Sequence, residues 1–548
     1  MRTQVRRGCA VSFTGTRSGL VFTRRDFLRN SGLLSVYLAL AGGATPLLAN
    51  DSHAKLRATL ADAALWSELA ASESAPFVHL CNRLTWGPRP GDVQSAMKLG
   101  YDAFVDAQLH PEEIDDHVVE SMLSDLSALQ MSSAELWLAY PAKGSNPPTH
   151  IIEQLQSATI QRALYSQRQL FEIMVDFWSN HFNIDVVKKR GRWLKVADDR
   201  DVIRRHALGK FRDLLIASAH SPAMLVSLDN NENTAPGVMW GDQPGGINEN
   251  YARELMELHT VGVDGGYTQQ DVQVVALALT GWGVASPKEK EPLSFIFRDE
   301  LHDPSEKSIP FLGLTLPANG GSADGEDLLA ALAVHPNTAR HIAYKLAVTF
   351  VADAPPPSLV ARLAQVYLAN DTDIRATLAA LFHSDEFKES AGQKFKLPLR
   401  FLVSALRALD AQCNNLETLR TALLGLGQPL FGWSAPNGYP QIGAAWVNSG
   451  GLLARWNLAF ALAETSLDGV SYDSTLLAAH KKTPAGDLVD SVGAALLNGE
   501  LTADQRALLV DFVSGGKGAG QTVAKKQIAS KSAELVALLL ASPLFQLH

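Results

Sequence analysis

Apolar residues recur at spacings of three and four through most of this 548-residue chain, the period of helices that bury one face. The clearest stretch is 150–186. There Ile151, Leu155, Ala158, Ile160, Leu164, Phe171, Met174, Val175 and Trp178 keep that period and predict one long helix. Comparable patterns cover 93–108, 112–130, 198–219, 247–261, 269–282, 326–350, 357–383, 397–425, 450–466, 485–513 and 521–541. Helix punctuation agrees. Thr268 with Asp271 is a capping-box variant after the turn Asp264-Gly265-Gly266, and Pro336 and Pro357 stand where a first helical turn tolerates proline. Strand-like sequence is confined to 293–316, where Leu293–Phe297 and Ile309–Leu316 flank a polar turn at His302-Asp303-Pro304 and read as one small hairpin. The expected fold is mainly α: one large multi-helix body over 50–548 with one small β-hairpin insertion.

Composition narrows the class. Hydrophobic residues make up 46% and charged residues 19%, the balance of a globular chain and not of a disordered tail or membrane bundle. Only Cys9, Cys81 and Cys413 occur, which excludes a disulfide scaffold and leaves no C-x-x-C metal or redox pair. The formal charge of −9 argues against a nucleic-acid partner. No H-E-x-x-H, G-x-S-x-G, Walker A or Rossmann pattern is present, and the glycines of 515–520 fit no phosphate loop.

The first 49 residues differ from the rest. They carry Arg2, Arg6, Arg7, Arg17, Arg24, Arg25 and Arg29 against one acid, Asp26, followed by an apolar run from Gly32 to Ala44. That run is shorter than the ~20 residues of a membrane span and leads to small residues, the layout of a cleavable signal peptide. Thr23-Arg24-Arg25-Asp26-Phe27-Leu28-Arg29 resembles the twin-arginine export motif. Cleavage is expected after Ala49 or, alternatively, Ala54. Losing seven arginines and one acid takes the formal charge from −9 to about −15. The expected product is periplasmic or secreted, is carried by the twin-arginine machinery, and has no transmembrane segment. Cys81 and Cys413 remain in it, free to pair only if the fold brings them together.

Several segments together resemble the bacterial domain-of-unknown-function family numbered eighteen hundred. They are Asn82–Gly91 (NRLTWGPRPG), Phe177–Asn183 (FWSNHFN), Asn248–Gly262 (NENYARELMELHTVG), Gly266–Val272, Ala278–Trp282 and His335–Arg340. The similarity spans about 75–465. It implies an exported, largely helical protein, often encoded beside a second exported protein resembling the alkaline-phosphatase/sulfatase superfamily. It implies no established activity.

Candidate chemistry concentrates in three places. On a helix over 247–261, Asn250, Arg253, Glu254 and Glu257 fall within about 100° of one another, and His259 lies among the apolar residues opposite. Such a stripe is either a set of metal ligands or acid–base carboxylates, with Arg253 orienting an anion, or an Arg–Glu network joining helices. Asn180, His181 and Asn183 bring polar groups to the end of the long helix. There His181 is either a ligand or proton carrier facing the stripe, or a buried, carbonyl-satisfying residue. The loop from Asp229 and Asn230 through Trp240 to Asn248 is oxygen-rich and reads as a lid or carbohydrate-facing loop, or as plain surface. His302-Asp303 reads as a polar turn or as a group reaching the same site, and Arg340 and Lys345 as solvated or paired cations unless they bind an anion. Two roles are therefore expected as alternatives. One is a metal-assisted or carboxylate-dependent hydrolase-like enzyme on an envelope or extracellular substrate, with His181, Arg253, Glu254 and Glu257 catalytic; its cofactor is open, a divalent metal being one that these carboxylates could hold. The other is a non-catalytic scaffold or partner for a sulfatase/phosphatase-like protein.

Overall fold

The computed structural model describes residues 72–240, 243–473, 483–499 and 501–548, which belong to one unit, Glu68–His548. The Arg-rich leader, both cleavage positions, Cys9 and Asp242 lie outside the described residues. The architecture is mainly α, with strands limited to short two-stranded ladders.

Helices form where the periodicity predicts them, but most of the long periods are cut. The pattern at 93–108 divides at Gly100, whose φ of +89° ends Asp92–Leu99 and starts Tyr101–Leu109. The stretch 150–186 gives α2 (Thr149–Tyr165) and α3 (Gln169–His181), both chain-later than α1 (Ala75–Leu84). The cut at 166–168 has a tertiary cause. Asp116 accepts from Ser166 Oγ and from Gln167 N, each at 2.7 Å, so a distant carboxylate takes donors that helix continuation needs. α3 buries Leu170, Ile173, Met174, Val175, Phe177 and Trp178 and packs against α1, α2 and Tyr101–Leu109, which makes it a central strut.

Farther along, Asn248 caps α4 (Glu249–Glu254), and a π-helical turn follows over Leu255–His259. Thr268 and Asp271 form the predicted capping box of α5 (Gln269–Ala278). Pro336 opens α6 (Pro336–Phe350), and Pro398 opens α7 (Pro398–Ala408), whose side chains are nearly all buried.

The 293–316 region corrects the sequence reading of one hairpin. Phe295–Phe297 pairs backward with Trp282–Val284, and Lys307–Ile309 pairs forward with Leu314–Leu316. The intervening turn joins two ladders because it is held from outside. Lys307 Nζ donates to the carbonyls of Asp303 and Ser305 and to Asp324, and His302 lies between Thr280 O and Asp324. His302 is buried, so it is part of a polar knot and not a surface turn.

Cys81 and Cys413 are both free; Cys81 packs with Val78, Val93 and Ala96 in a small core. Among the described residues no helix is long and apolar enough to cross a membrane.

Candidate functional site

The predicted acidic stripe resolves into a network between helices. Arg253 reaches Glu249 at 2.9 Å and Glu257 at 3.6 Å along α4, and donates to Gln269 of α5 at 2.9 Å. Glu249 also accepts from Gln269 and Gln273, and the Tyr267 hydroxyl bonds Glu257. Glu254 makes no hydrogen bond among the described residues; burial and then the neighbouring Glu257 push its carboxyl upward. These groups are partly exposed. Among the described residues no three His, Cys, Asp or Glu side chains are placed to hold a metal ion. The acidic stripe therefore supplies no ready-made divalent-metal donor set among the described residues.

The Asn-rich loop is stapled to the protein by its own side chains. Asp229, in the left-handed region at φ +63°, pairs with Lys188 and Lys189. Asn230 is buried and donates to the carbonyls of Leu279 and Trp282; Asn250 donates to Leu228 O and Asp229. Asn248 N donates to Asn233, which in turn bonds Asn230. Asp229 and Asn230 are thus spent internally, as are Asn248 Oδ1, which accepts from Asn250 N, and Asn250 Nδ2. Trp240 sits in a short ladder, Met239–Trp240 with Gln243–Pro244, and its side chain is outside the described residues.

α3 divides the Phe177–Asn183 motif between two environments. On one face, His181 Nε2 donates to the carbonyl of His259 at 3.1 Å, and Nδ1 accepts from Lys345 Nζ of α6 at 2.8 Å. His341 joins the cluster through Leu258 O, with its ring centroid 6.2 Å from that of His181. No carboxylate bonds to these four side chains among the described residues. Burial, with Lys345 next in effect, pushes His259 down to about 3, His341 down to about 4 and His181 well below the usual imidazole range, while Lys345 is pushed down to about 8. Lys345 is half-buried and paired with a neutral imidazole, His181, with no carboxylate bonded to it among the described residues. Among the described residues no hydrogen bond or ion pair joins His181 to Glu254 or Glu257.

The other face of α3 lines a cavity of about 90 Å³, room for several waters or a small polar group. Asp176, Phe177, Ser179, Asn180 and Asn183 come from the end of α3, Trp86 follows α1, and Lys394 and Arg400 come from the segment entering α7. Asn180 and Asn183 do not offer their amides to a ligand. Asn180 Nδ2 donates to Tyr439 O and its Oδ1 accepts from Tyr439 N, while Asn183 Nδ2 donates to Trp433 O and Ala435 O. They hang the 432–444 loop on the helix as the cavity's outer wall. Gly438 is required there: its φ is +69°, and a Cβ would lie 2.2 Å from the Asn180 carbonyl oxygen.

Several other lining groups keep unspent polar atoms, although Lys394 pairs with Asp353. Asp176 makes no hydrogen bond among the described residues; burial pushes its carboxyl up to about 6, with Arg400 opposing. Arg400 gives Nη1 to the carbonyls of Asn82 and Thr85 and stacks over Trp86, while its Nε and Nη2 make no hydrogen bond among the described residues. Trp86 Nε1 and Ser179 Oγ are buried without a partner. Sequence reasoning missed Asp176, Arg400, Lys394 and Trp86. One signal was available, a single acid in the apolar run Ile173-Met-Val-Asp176-Phe-Trp178.

A family model described as "Protein of unknown function (DUF1800)" matches residues 79–547, extending past the 465 boundary expected from the motifs. No curated protein and no solved structure matches the chain.

Proposed function

Because the chain belongs to the DUF1800 family, whose description assigns no activity, we propose its role from its own side chains: an exported, carboxylate-dependent enzyme whose working site is the α3 cavity. Asp176 is the acid–base group and Arg400 the positioning cation. The observation that carries this reading is an unpaired carboxylate, raised to about 6 by burial, in the wall of a cavity that also holds the unsatisfied donors Trp86 Nε1 and Ser179 Oγ. A carboxyl near 6 holds and releases a proton around neutral pH, which suits general acid–base catalysis. The hydrolase-like class expected from the sequence is kept, and its carboxylate moves from Glu254 and Glu257 to Asp176. Export rests on the Arg-rich leader, and an envelope or extracellular substrate follows from export.

The test is a screen of the leader-free protein against chromogenic carboxylic esters, phosphate esters, sulfate esters and glycosides between pH 5 and pH 8. Turnover is expected to show a limb near pH 6, to vanish in Asp176→Asn, and to survive Glu254→Gln and Glu257→Gln. Survival in Asp176→Asn rejects the assignment. Absence of turnover together with co-purification of a sulfatase/phosphatase-like partner favours the non-catalytic scaffold instead.

A further inference from the structure

The region behind the cavity is overloaded with positive charge. Arg83, Lys394, Lys396 and Arg455 are each at most 4% exposed, and Arg400 lies among them. Among the described side chains two carboxylates face this group: Asp353, which pairs with Lys394, and Asp176, which faces Arg400. Carbonyls and rings satisfy part of the rest. Arg83 donates to Val351 O and Ser390 O, Arg455 stacks on Phe395 and Phe401, and the Lys396 ammonium lies 3.7 Å over the ring of Phe545. Donors are left over, namely Arg83 Nε and Nη1, Arg455 Nη1, Trp86 Nε1 and Ser179 Oγ. Buried cations persist when something negative accompanies them, and buried donors when something accepts from them.

We propose that the α3 cavity binds a small molecule through an oxyanion group, a carboxylate, phosphate or sulfate, with Arg400 and Lys394 as charge partners and Trp86 Nε1 and Ser179 Oγ as neutral donors. This names the ligand class of the site proposed above and rests on that site being the functional one, but it does not require Asp176 to transfer a proton. Asp176 faces Arg400, with Lys394 and His548 on the neighbouring walls. It admits an anion beside it when it carries its own proton, so binding strengthens as pH falls through about 6.

Thermal unfolding and calorimetric titration of the full chain with inorganic phosphate, sulfate and acetate, each against chloride at matched ionic strength, test the idea. A saturable rise in Tm is expected with at least one of the three, and which one distinguishes the oxyanion source. Trp86→Phe keeps the ring under Arg400 and removes one donor; it is expected to weaken binding about tenfold with the fold intact. Lys394→Gln is expected to weaken it further. Absence of any saturable shift beyond chloride, or equal binding in Trp86→Phe, overturns the inference and makes the cluster an internally balanced part of the core. Loss of anion binding with Asp176-dependent turnover retained removes this inference alone. Anion binding retained in an Asp176→Asn protein that has no turnover supports both.

Discussion

His181 accepts a hydrogen bond from Lys345 through Nδ1 while donating to the backbone of His259 through Nε2, so one imidazole ties α3, the π-helical turn and α6 together with its tautomer fixed. Three histidines gathered around a lysine without a bonded carboxylate hold together best while the imidazoles are neutral.

Acid is therefore expected to unfold this region. His259 titrates at about 3 and His341 at about 4 in the fold, against about 6.5 in an unfolded chain, so the unfolded state binds more protons between those values. The histidine contribution to stability is full above pH 6.5 and falls as pH drops toward 4, each histidine adding about 1.4 kcal/mol per pH unit to the slope. Urea unfolding at pH 7, 5.5 and 4 checks this, and a slope unchanged by His259→Gln would show that the histidine does not carry it. Lys345, at about 8 in the fold, adds a second rise of stability between pH 8 and 10.5 that Lys345→Met removes.

Asp176 has the opposite sign. Its folded carboxyl sits at about 6 against about 3.8 unfolded, so its cost to stability is present above pH 6 and disappears below 3.8. Asp176→Asn is expected to stabilise at pH 8, by at most about 3 kcal/mol, and to be neutral at pH 3.5. Denaturant midpoints at both pH values decide it. A loss of stability at pH 8 would mean that the carboxylate has a protein partner after all.

The Lys195–Asp198 pair, 2.6 Å apart with both side chains at most 2% exposed, predicts a large structural effect away from the cavity. Asp198 also accepts from Ser221 Oγ at 2.7 Å. Lys195→Met strands a buried carboxylate and is expected to cost about 3–5 kcal/mol, whereas Lys195→Met with Asp198→Leu recovers much of it. Equal losses in the single and double variants would refute the coupling.

Burial pushes the Cys81 thiol up to about 12 and that of Cys413 up to about 11. Both should resist thiol reagents at pH 8 in the folded protein and react on unfolding. The mass of the purified leader-free protein should match two free thiols, and an intramolecular disulfide between them would contradict the structure.

Much of the helical content was legible because burying one face of a helix imposes its period on local sequence. The cuts were not, because their causes are distant: Asp116 ends the 150–186 period from more than thirty residues upstream. The stripe of Arg253, Glu254 and Glu257 was found correctly as a set of neighbours. Its partners on α5 and the π turn that begins at Leu255 decide that it is a network, and a wheel with 100° steps shows neither. His181 was visible as a polar residue in an apolar helix end, but Lys345 comes from 164 residues later. The cavity is the extreme case. Its walls come from 86, 173–183, 394–400 and 428–441, with 349 and 548, segments whose adjacency exists only in the fold.

The way the 432–444 loop is held has a consequence for how such a site can change over generations. Asn180 and Asn183 grip only main-chain atoms of Trp433, Ala435 and Tyr439. Any residue except proline offers the same N–H at position 439, and every residue offers a carbonyl at 433 and 435. The attachment of the outer wall is thus indifferent to most side chains borne there. Selection can rewrite what the wall presents to the cavity while the helix that holds it, with Asp176 and Ser179 on the same turns, stays untouched.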